Sequence, residues 1–369
     1  MSKLLVNLSI LLSQPTGISN YAQNIYPALK CLEPTLLGTE RLVAEEYSNF
    51  NCHLVPSNMT PAQGSKGHLR RLIWTQFRLP QIYQQYKSQL LFSPLPEAPL
   101  YSQCSSIVTV HDAIPLRFPK RFSPLTPYHR YYIPQVLKQA VHIICNSEAT
   151  AKDITNFYHI NSKKITFIHL AHNKNHFHPI DKNKPKNQTK IKTPYFLYVG
   201  RQDPYKNLHR LIAAFAKLPN YQEYQLYFAG PKDKRYTPQL EIQALELGVS
   251  KQINFLDYVP YNELPIIISN AIALVFPSLW EGFGFPVLEA MSIGTPVITS
   301  NISSLPEVAG DAAILVNPYN TDEISNAMQI VATENQTREQ MIQKGLKQAN
   351  RFSWEKTGQA TVQVLEKYM

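Results

Sequence analysis

The sequence predicts an α/β protein built from two doubly wound, Rossmann-like parallel-sheet domains. The chain has 369 residues, more than one domain usually holds. Its second half alternates short apolar runs with helical patterns, which is the order of βαβ units. Residues 181–194 are rich in lysine and almost free of apolar side chains, as linkers are. We therefore predict domains at 1–180 and 195–352, a linker at 181–194 and a closing segment at 353–369.

The first predicted strand, residues 4–12, is followed by a turn with Gly17 at its tip and then by a helical pattern. Parallel α/β sheets bind ligands at the carboxyl ends of their strands, and a glycine there lets the backbone approach a ligand closely. Gly17 is therefore a candidate binding residue. The alternative is an ordinary tight turn, and the sequence does not separate the two.

Two further strands of the first half end in polar residues. The strand predicted at 107–110 ends in His111 and Asp112, which places a titratable group in the crevice of the sheet. The alternative for His111 is a buried histidine satisfied by the backbone. The strand predicted at 141–145 leads into Ser147, which can cap the following helix, as can Asn146.

Residues 67–91 combine Trp74, Phe77 and aliphatic residues with several basic side chains. This composition is typical of a membrane-surface element, but it also fits a core-packing helix with a solvated basic face. Pro80 is expected to break or kink any helix that forms here.

The net charge of +10 is concentrated in the first half of the chain. Residues 1–180 carry 17 Lys and Arg against 8 Asp and Glu, and 195–369 carry 14 against 17. We expect the first half to face an anionic partner, such as a phospholipid surface or a phosphate-bearing acceptor. The chain has none of the motifs of nucleic-acid-binding proteins, so no nucleic-acid partner is expected.

The expected location is cytoplasmic, with a possible peripheral position on the inner face of the membrane. No apolar run reaches the ~20 residues that span a bilayer, and the apolar start lacks a signal-peptide cleavage site. The four cysteines form no CxxC pair. Isolated cysteines at this density are expected to be small buried hydrophobes in a reducing compartment.

The segment with the most candidate site residues is 280–296, WEGFGFPVLEAMSIGTP. It lies between two short apolar runs that predict buried strands, and its helix is expected to begin near Phe285, with Pro286 in the first turn, and to end before Gly294. Gly282 and Gly284 precede that helix start. Free backbone N–H groups and the helix dipole attract phosphates at such a position.

Two other strand ends lie on the same predicted rim. The strand at 195–199 is followed by a connection that carries Arg201 and Lys206. A planar guanidinium and a flexible ammonium together suit a diphosphate, although both could be solvated surface cations. Gly230 follows the next strand. We expect a nucleotide site that is assembled from several of these loops.

Glu281 and Glu289 add two carboxylates to this segment, one in the loop and one in the helix. If the loop bends back over the helix start, the pair can bracket a ligand, because carboxylates accept hydrogen bonds from cis-diols of sugars and ribose. The alternative for Glu289 is an acidic residue that only complements the helix dipole.

Together these residues resemble the retaining GT-B glycosyltransferases of family 4. The resemblance covers nearly the whole chain, and the E-x7-E element from Glu281 to Glu289 is its most specific part. The sequence His111-Asp112-Ala113-Ile114-Pro115-Leu116 is similar to that of bacterial mannosyltransferases of surface-polysaccharide assembly, which use GDP-mannose. The Gly17 loop departs from the family, since many members have two adjacent glycines there.

The resemblance implies a role for each candidate residue. Arg201 and Lys206 would hold the donor diphosphate, and Glu289 the ribose hydroxyls. The donor sugar and phosphate would contact Glu281 and the backbone N–H groups of Gly282, Phe283 and Gly284. Gly17 would approach the diphosphate from the opposite domain, and His111 would contact the transferred sugar.

The implied reaction transfers a hexose, mannose or glucose, from a nucleotide diphosphate sugar to a glycan or lipid-linked acceptor with retention of anomeric configuration. The donor would be GDP-mannose or a UDP- or ADP-hexose. The resemblance further implies that the two domains face each other across a cleft and that residues 353–369 cross back to the acceptor-binding N-terminal domain. No D-x-D sequence occurs. We therefore expect no metal and no cofactor.

Three other functions are alternatives to this one. An NAD-linked oxidoreductase also suits two doubly wound domains, but no G-x-G-x-x-G follows any predicted strand. A phosphorylase or epimerase of the same fold and a non-catalytic sugar-binding protein remain as alternatives.

Overall fold

The computed structural model describes residues 3–11, 17–39, 50–60, 63–120, 123–181 and 191–369. The chain divides into two compact units. The first comprises Met1–Leu170 and Ser353–Met369, and the second comprises Ala171–Phe352. The first unit thus ends before the predicted boundary at residue 180. Of the predicted linker, residues 182–190 lie outside the described residues.

The first unit contains a seven-stranded sheet in the order β3-β2-β1-β4-β5-β6-β7, with all pairs parallel. The direction of strand addition reverses between β1 and β4, and such a reversal opens a crevice at the carboxyl ends of the strands. The strands are β1 (Leu4–Asn7), β2 (Thr35–Gly38), β3 (Asn51–Leu54), β4 (Leu90–Ser93), β5 (Ser106–Val110), β6 (His142–Cys145) and β7 (Ile165–Phe167).

Helices of the first unit connect and cover these strands. The helix Glu148–Tyr158 begins at a cap that Ser147 provides, because its side chain accepts a hydrogen bond from the Thr150 N–H at 3.1 Å. The other helical segments are Gly17–Ile25, Tyr26–Leu32, Ser57–Met59, Gly64–Gln85, Ile114–Arg117, Leu125–Pro127, Tyr128–Tyr132, Ile133–Gln139, Ser162–Lys164 and Trp354–Glu366.

Two predictions in the first half are wrong in detail. The first strand ends at Asn7 rather than at residue 12, because the Asn7 side chain accepts hydrogen bonds from the N–H and hydroxyl of Ser9 and turns the chain. Of the break or kink predicted at Pro80, the break does not occur, because the helix Gly64–Gln85 continues through that residue. Leu79 and Ile82 are buried on either side of it, so core packing outweighs the lost backbone hydrogen bond.

The second unit contains a six-stranded parallel sheet in the order β10-β9-β8-β11-β12-β13. The predicted α/β fold with two parallel sheets is therefore confirmed. The strands are β8 (Tyr195–Val199), β9 (Gln225–Ala229), β10 (Ile253–Phe255), β11 (Ala273–Phe276), β12 (Val297–Ser300) and β13 (Ile314–Val316).

Helices alternate with these strands as predicted. They are Leu208–Ala216, Thr237–Glu246, Leu264–Asn270, Phe285–Ile293, Leu305–Ala309, Thr321–Thr333 and Asn335–Ala349, with short turns of helix at Pro204–Lys206 and Tyr221–Glu223. Strands β8, β11 and β12 are buried along their whole length, as expected of a parallel sheet covered on both faces.

The four cysteines are free thiols. Cys145 is buried, Cys52 and Cys104 are half-buried, and Cys31 is exposed. The prediction that all four are small buried hydrophobes is therefore wrong for Cys31.

Candidate active site

Loops from three neighbouring strands of the second unit form the candidate site. Gly200 follows β8, Gly230 follows β9 and the Glu281 loop follows β11. A Cβ atom on Gly230 would lie 2.0 Å from the Gly200 carbonyl oxygen, and φ at Gly230 is +155°. Glycine is needed at this position because the first two loops touch each other through their backbones.

Lys206 and Glu281 meet in this site. Lys206 Nζ lies 2.6 Å from Glu281 Oε1, and both side chains are largely buried. The same Nζ atom lies 5.4 Å from the centroid of the Phe276 ring. The sequence placed Lys206 and Glu281 in one site but did not pair them.

Arg201 has a different environment from Lys206. Its side chain is 68% exposed, and its Nε atom lies 3.2 Å from Asp203 Oδ2, whose side chain is buried. The Arg201 guanidinium can therefore move toward a ligand at a small cost in free energy, whereas the Lys206 ammonium is held by Glu281.

The helix Phe285–Ile293 begins and ends where the sequence predicts. Gly284 precedes it with φ +115°, Pro286 lies in its first turn, and Gly294 ends it with φ +87°. The N–H of Gly284 has no acceptor among the described residues. A helix start of this kind offers backbone donors and a positive dipole end to an anion.

Two serines that sequence reasoning missed hold the Glu281 loop. Ser303 Oγ accepts from the Glu281 N–H at 2.9 Å and donates to the Glu281 carbonyl at 2.7 Å. Ser304 Oγ lies 2.7 Å from the Phe283 carbonyl and 3.0 Å from that of Glu281. Both serines follow β12, so their position at a strand end was the available signal.

Asn207 joins the loops that carry Lys206 and Glu281. It is fully buried with φ +65°, and its Nδ2 donates to the carbonyls of Pro277 at 3.0 Å and Pro318 at 2.7 Å. The Leu279 N–H also donates to the Tyr205 carbonyl at 2.8 Å. The sequence analysis assigned no role to Asn207.

Glu289 lies beyond the first turn of its helix, so the alternative that it only complements the dipole is not supported. Burial raises the pKa of its carboxyl from 4.5 to about 8. The carboxyl makes no hydrogen bond or ion pair with any described residue. Burial and the nearby charge of Glu289 raise the pKa of Tyr261. The Tyr261 ring stacks on the His176 ring, with the two centroids 3.8 Å apart.

His111 lies in the first unit, directly after β5. Its Nε2 donates to the Pro94 carbonyl at 2.8 Å, and burial lowers the pKa of the imidazole to about 4. The ring is therefore neutral at physiological pH, with Nδ1 left as the acceptor. Nε2 is thus satisfied by the backbone, as the alternative for His111 expects, whereas Nδ1 has no partner among the described residues.

Gly17 is the first residue of the helix Gly17–Ile25 and is exposed. The preceding residues 12–16 lie outside the described part of the chain, so the role predicted for this loop stays a prediction. Within the described ranges, no group of three His, Cys, Asp or Glu side chains could hold a metal ion. None of the described helices has the length and apolar character required to cross a membrane.

Comparison with known proteins assigns the family. Residues 15–174 match the family model described as Glycosyltransferase Family 4, and 179–348 match that of Glycosyl transferases group 1. An O-antigen chain mannosyltransferase of Salmonella typhimurium is 30% identical over 321 residues, which is 85% of this chain and 87% of that protein. The chain belongs to the family 4 glycosyltransferases.

Solved structures support the fold of this glycosyltransferase. A sucrose-phosphate synthase from Thermosynechococcus elongatus has a TM-score of 0.75 at 18% identity, with 99% of this chain and 98% of that chain covered. The Anabaena protein HepE, solved in complex with UDP-glucose, has a TM-score of 0.74 at 16% identity, with 99% of each chain covered. The glycosyltransferase thus has a two-domain GT-B fold.

Proposed function

We propose that this enzyme transfers mannose from GDP-mannose, with retention of configuration, to a glycan or lipid-linked acceptor of a surface polysaccharide. The similarity to the Salmonella mannosyltransferase supports mannose. A second O-antigen chain mannosyltransferase, from Escherichia coli, is 39% identical over 171 residues, which is 46% of this chain and 44% of that protein. A UDP- or ADP-hexose is the second candidate donor, supported by the UDP-glucose in the Anabaena structure.

The observation that carries the proposal is the Lys206–Glu281 pair beside the Gly284 helix start. In the transfer, the bond between the anomeric carbon and the phosphate oxygen breaks and its electron pair stays on the diphosphate. The acceptor hydroxyl oxygen forms the new bond on the same face, and its proton passes to the departing phosphate. Lys206, Arg201 and the backbone N–H groups would stabilise the negative charge that develops on the leaving group.

The remaining residues would position the donor. Glu289 would accept hydrogen bonds from the ribose hydroxyls, and Glu281 would contact the sugar next to Lys206. His111, as a neutral imidazole, would offer Nδ1 to a hydroxyl of the transferred sugar, and Gly17 would approach the diphosphate. We further propose that the reaction needs no metal ion, because fixed cations and a helix start supply the positive charge.

We also propose a peripheral position on the inner face of a membrane, through a stripe on the helix Gly64–Gln85. Leu69, Ile73 and Phe77 lie one turn apart on this helix and are 58%, 51% and 72% exposed. Exposed basic residues accompany the stripe: Lys66, Arg70 and Arg78. Arg71 and Trp74, in contrast, point into the unit and are not available to lipid.

Nucleotide release from a panel of GDP-, UDP- and ADP-sugars tests the donor and the reaction. We expect GDP release from GDP-mannose in the presence of EDTA, and loss of that activity in Glu281→Ala. Glu241→Ala, an exposed carboxylate of the same unit, is the control. If no nucleotide sugar is cleaved or bound, or if Glu281→Ala is as active as the control, the proposal is wrong.

A further inference from the structure

The first unit contains a cavity of about 750 Å³ whose wall includes His111 and Asp112. Its volume is within the range of small-ligand sites, and it lies at the carboxyl end of β5, where doubly wound sheets bind ligands. Apolar side chains form most of its wall. They include Ile18, Leu69, Leu72, Leu95 and Leu125.

The two strongest charges in the wall neutralise each other. Arg71 Nε and Nη2 donate to the two carboxylate oxygens of Glu97 at 2.7 and 2.8 Å, and both side chains are buried. Tyr128 Oη also donates to Glu97, at 3.1 Å. A bidentate pair of this kind leaves little capacity for a ligand.

Three other side chains of the wall also have hydrogen-bond partners. Tyr132 Oη donates to the Ala98 carbonyl at 3.1 Å, and His111 Nε2 donates to that of Pro94. His129 Nδ1 lies 3.4 Å from Tyr158 Oη. The aromatic residues 128, 129 and 132 belong to a short π-helix, Tyr128–Tyr132, an irregularity that is frequent at functional sites.

Among its described residues, the wall offers no unpaired cation to a phosphate. Burial lowers the pKa of His68, His111 and His129, so these rings are neutral at physiological pH. With Arg71 and Glu97 paired, Asp112 is the remaining charged side chain among the described residues of the wall. A hydroxyl-rich glycan would also lose its hydration here with few hydrogen bonds in return.

We propose that this cavity binds a neutral, apolar group carried by the acceptor, so that the acceptor is amphipathic, with its aglycone in the cavity and its reacting sugar at His111. This inference rests on the proposed glycosyl transfer, which places the transferred sugar at His111. The opening supports it, because Leu69 and Leu125 line the cavity and are also 58% and 47% exposed. An apolar chain can therefore enter from the surface of the helix Gly64–Gln85.

Calorimetric titration of the full-length protein with methyl and n-octyl α-D-mannopyranoside, below the micelle concentration of the latter, tests the proposal. Each buried methylene improves binding by on the order of threefold to fourfold, so we expect octyl mannoside to bind at least about a hundredfold more tightly. Leu72→Asn and Leu125→Asn should each reduce this preference by about tenfold or more. Equal affinities for the two mannosides would overturn the proposal.

Control variants separate the cavity from the surface and from the donor site. Phe77→Asn removes an exposed side chain from the same helix but outside the cavity wall, and it should keep the octyl preference. If Phe77→Asn loses the preference while Leu72→Asn and Leu125→Asn keep it, the octyl chain binds the surface and the proposal is wrong. GDP release from GDP-mannose without acceptor is measured on every variant. Its absence in the wild type contradicts the proposed function, whereas its presence together with equal mannoside affinities contradicts this inference alone.

Discussion

Lys206 and Glu281 lie 75 residues apart in the sequence, yet their side chains form an ion pair of 2.6 Å in which they are only 12% and 11% exposed. They meet because β8 and β11 are adjacent in the sheet, so the loops that follow these strands share one edge. Such a buried pair costs desolvation energy. Under the proposed function it would keep a cation fixed beside the departing diphosphate.

The first prediction concerns this pair. Lys206→Met should lower kcat for nucleotide release by on the order of a hundredfold to a thousandfold, because a preorganised charge is lost from the leaving-group site. It should also lower the free energy of unfolding by about 1–3 kcal/mol, since Glu281 is left largely buried without a partner. Steady-state kinetics and urea unfolding measure the two effects.

Lys217→Met is the matched control, because Lys217 forms an equally short pair with Asp322 on the surface. Exposed pairs contribute little, so we expect less than about 1 kcal/mol and unchanged kinetics. Similar losses of activity in both variants would contradict a special role for Lys206.

The second prediction concerns the pH dependence of donor binding through Glu289. Its pKa of about 8 means that the carboxyl is mostly protonated at neutral pH. If the ionised form accepts the ribose hydroxyls, KM for the donor should fall as the pH rises toward 8, by up to on the order of tenfold per pH unit. Above pH 8 it should level off. Glu289→Gln should have a higher KM above pH 8 and lack this pH dependence. A wild-type KM that does not vary between pH 6 and 8.5 would contradict the assignment.

The free energy of unfolding should also depend on pH through Glu289. It should fall as the pH rises, whereas donor binding should improve. The folded pKa of Glu289 is raised above 4.5, so its stabilising contribution is fully present below pH 4.5 and is lost as the pH rises to about 8. Urea unfolding of the wild type and of Glu289→Gln at pH 6 and pH 8.5 measures it. We expect the Gln variant to gain stability relative to the wild type at the higher pH.

The third prediction concerns the serine that holds the Glu281 loop. Ser304 is fully buried, and its hydroxyl lies within hydrogen-bonding distance of two loop carbonyls. Ser304→Ala should lower the free energy of unfolding by about 1–2 kcal/mol and raise KM for the donor, because the loop carbonyls lose their donor. Ser292→Ala, which removes a hydroxyl bonded within the helix Phe285–Ile293, should leave KM unchanged. Equal KM values for the two variants would contradict a positioning role for Ser304.

Much of the second unit could be predicted because its signals are local. The helix start at Gly284 and Pro286 and the alternation of strands and helices depend on neighbouring residues. The Lys206–Glu281 contact, the Ser304 hydrogen bonds and the bridge from Asn207 to Pro318 depend on strand order instead, and no local pattern encodes that order. The predicted break at Pro80 is absent for a related reason, since the packing of Leu79 and Ile82 outweighs the local preference of proline.

The fourth prediction concerns the stripe formed by Leu69, Ile73 and Phe77. The protein should sediment with vesicles that contain phosphatidylglycerol at low salt, and binding should weaken as salt screens the basic residues beside the stripe. Replacing all three side chains with serine should reduce the partition coefficient by on the order of a hundredfold, because their apolar area can no longer enter the interface.

Leu54→Ser provides the control for this prediction, because Leu54 is 51% exposed in the same unit but lies in β3, outside the stripe. It should bind vesicles like the wild type. GDP release from GDP-mannose without vesicles should be equal in all of these proteins, since the stripe lies in the first unit and the Lys206–Glu281 pair in the second. A triple variant that sediments as well as Leu54→Ser, or a wild type that fails to sediment at either salt concentration, would show that the stripe does not contact anionic lipid.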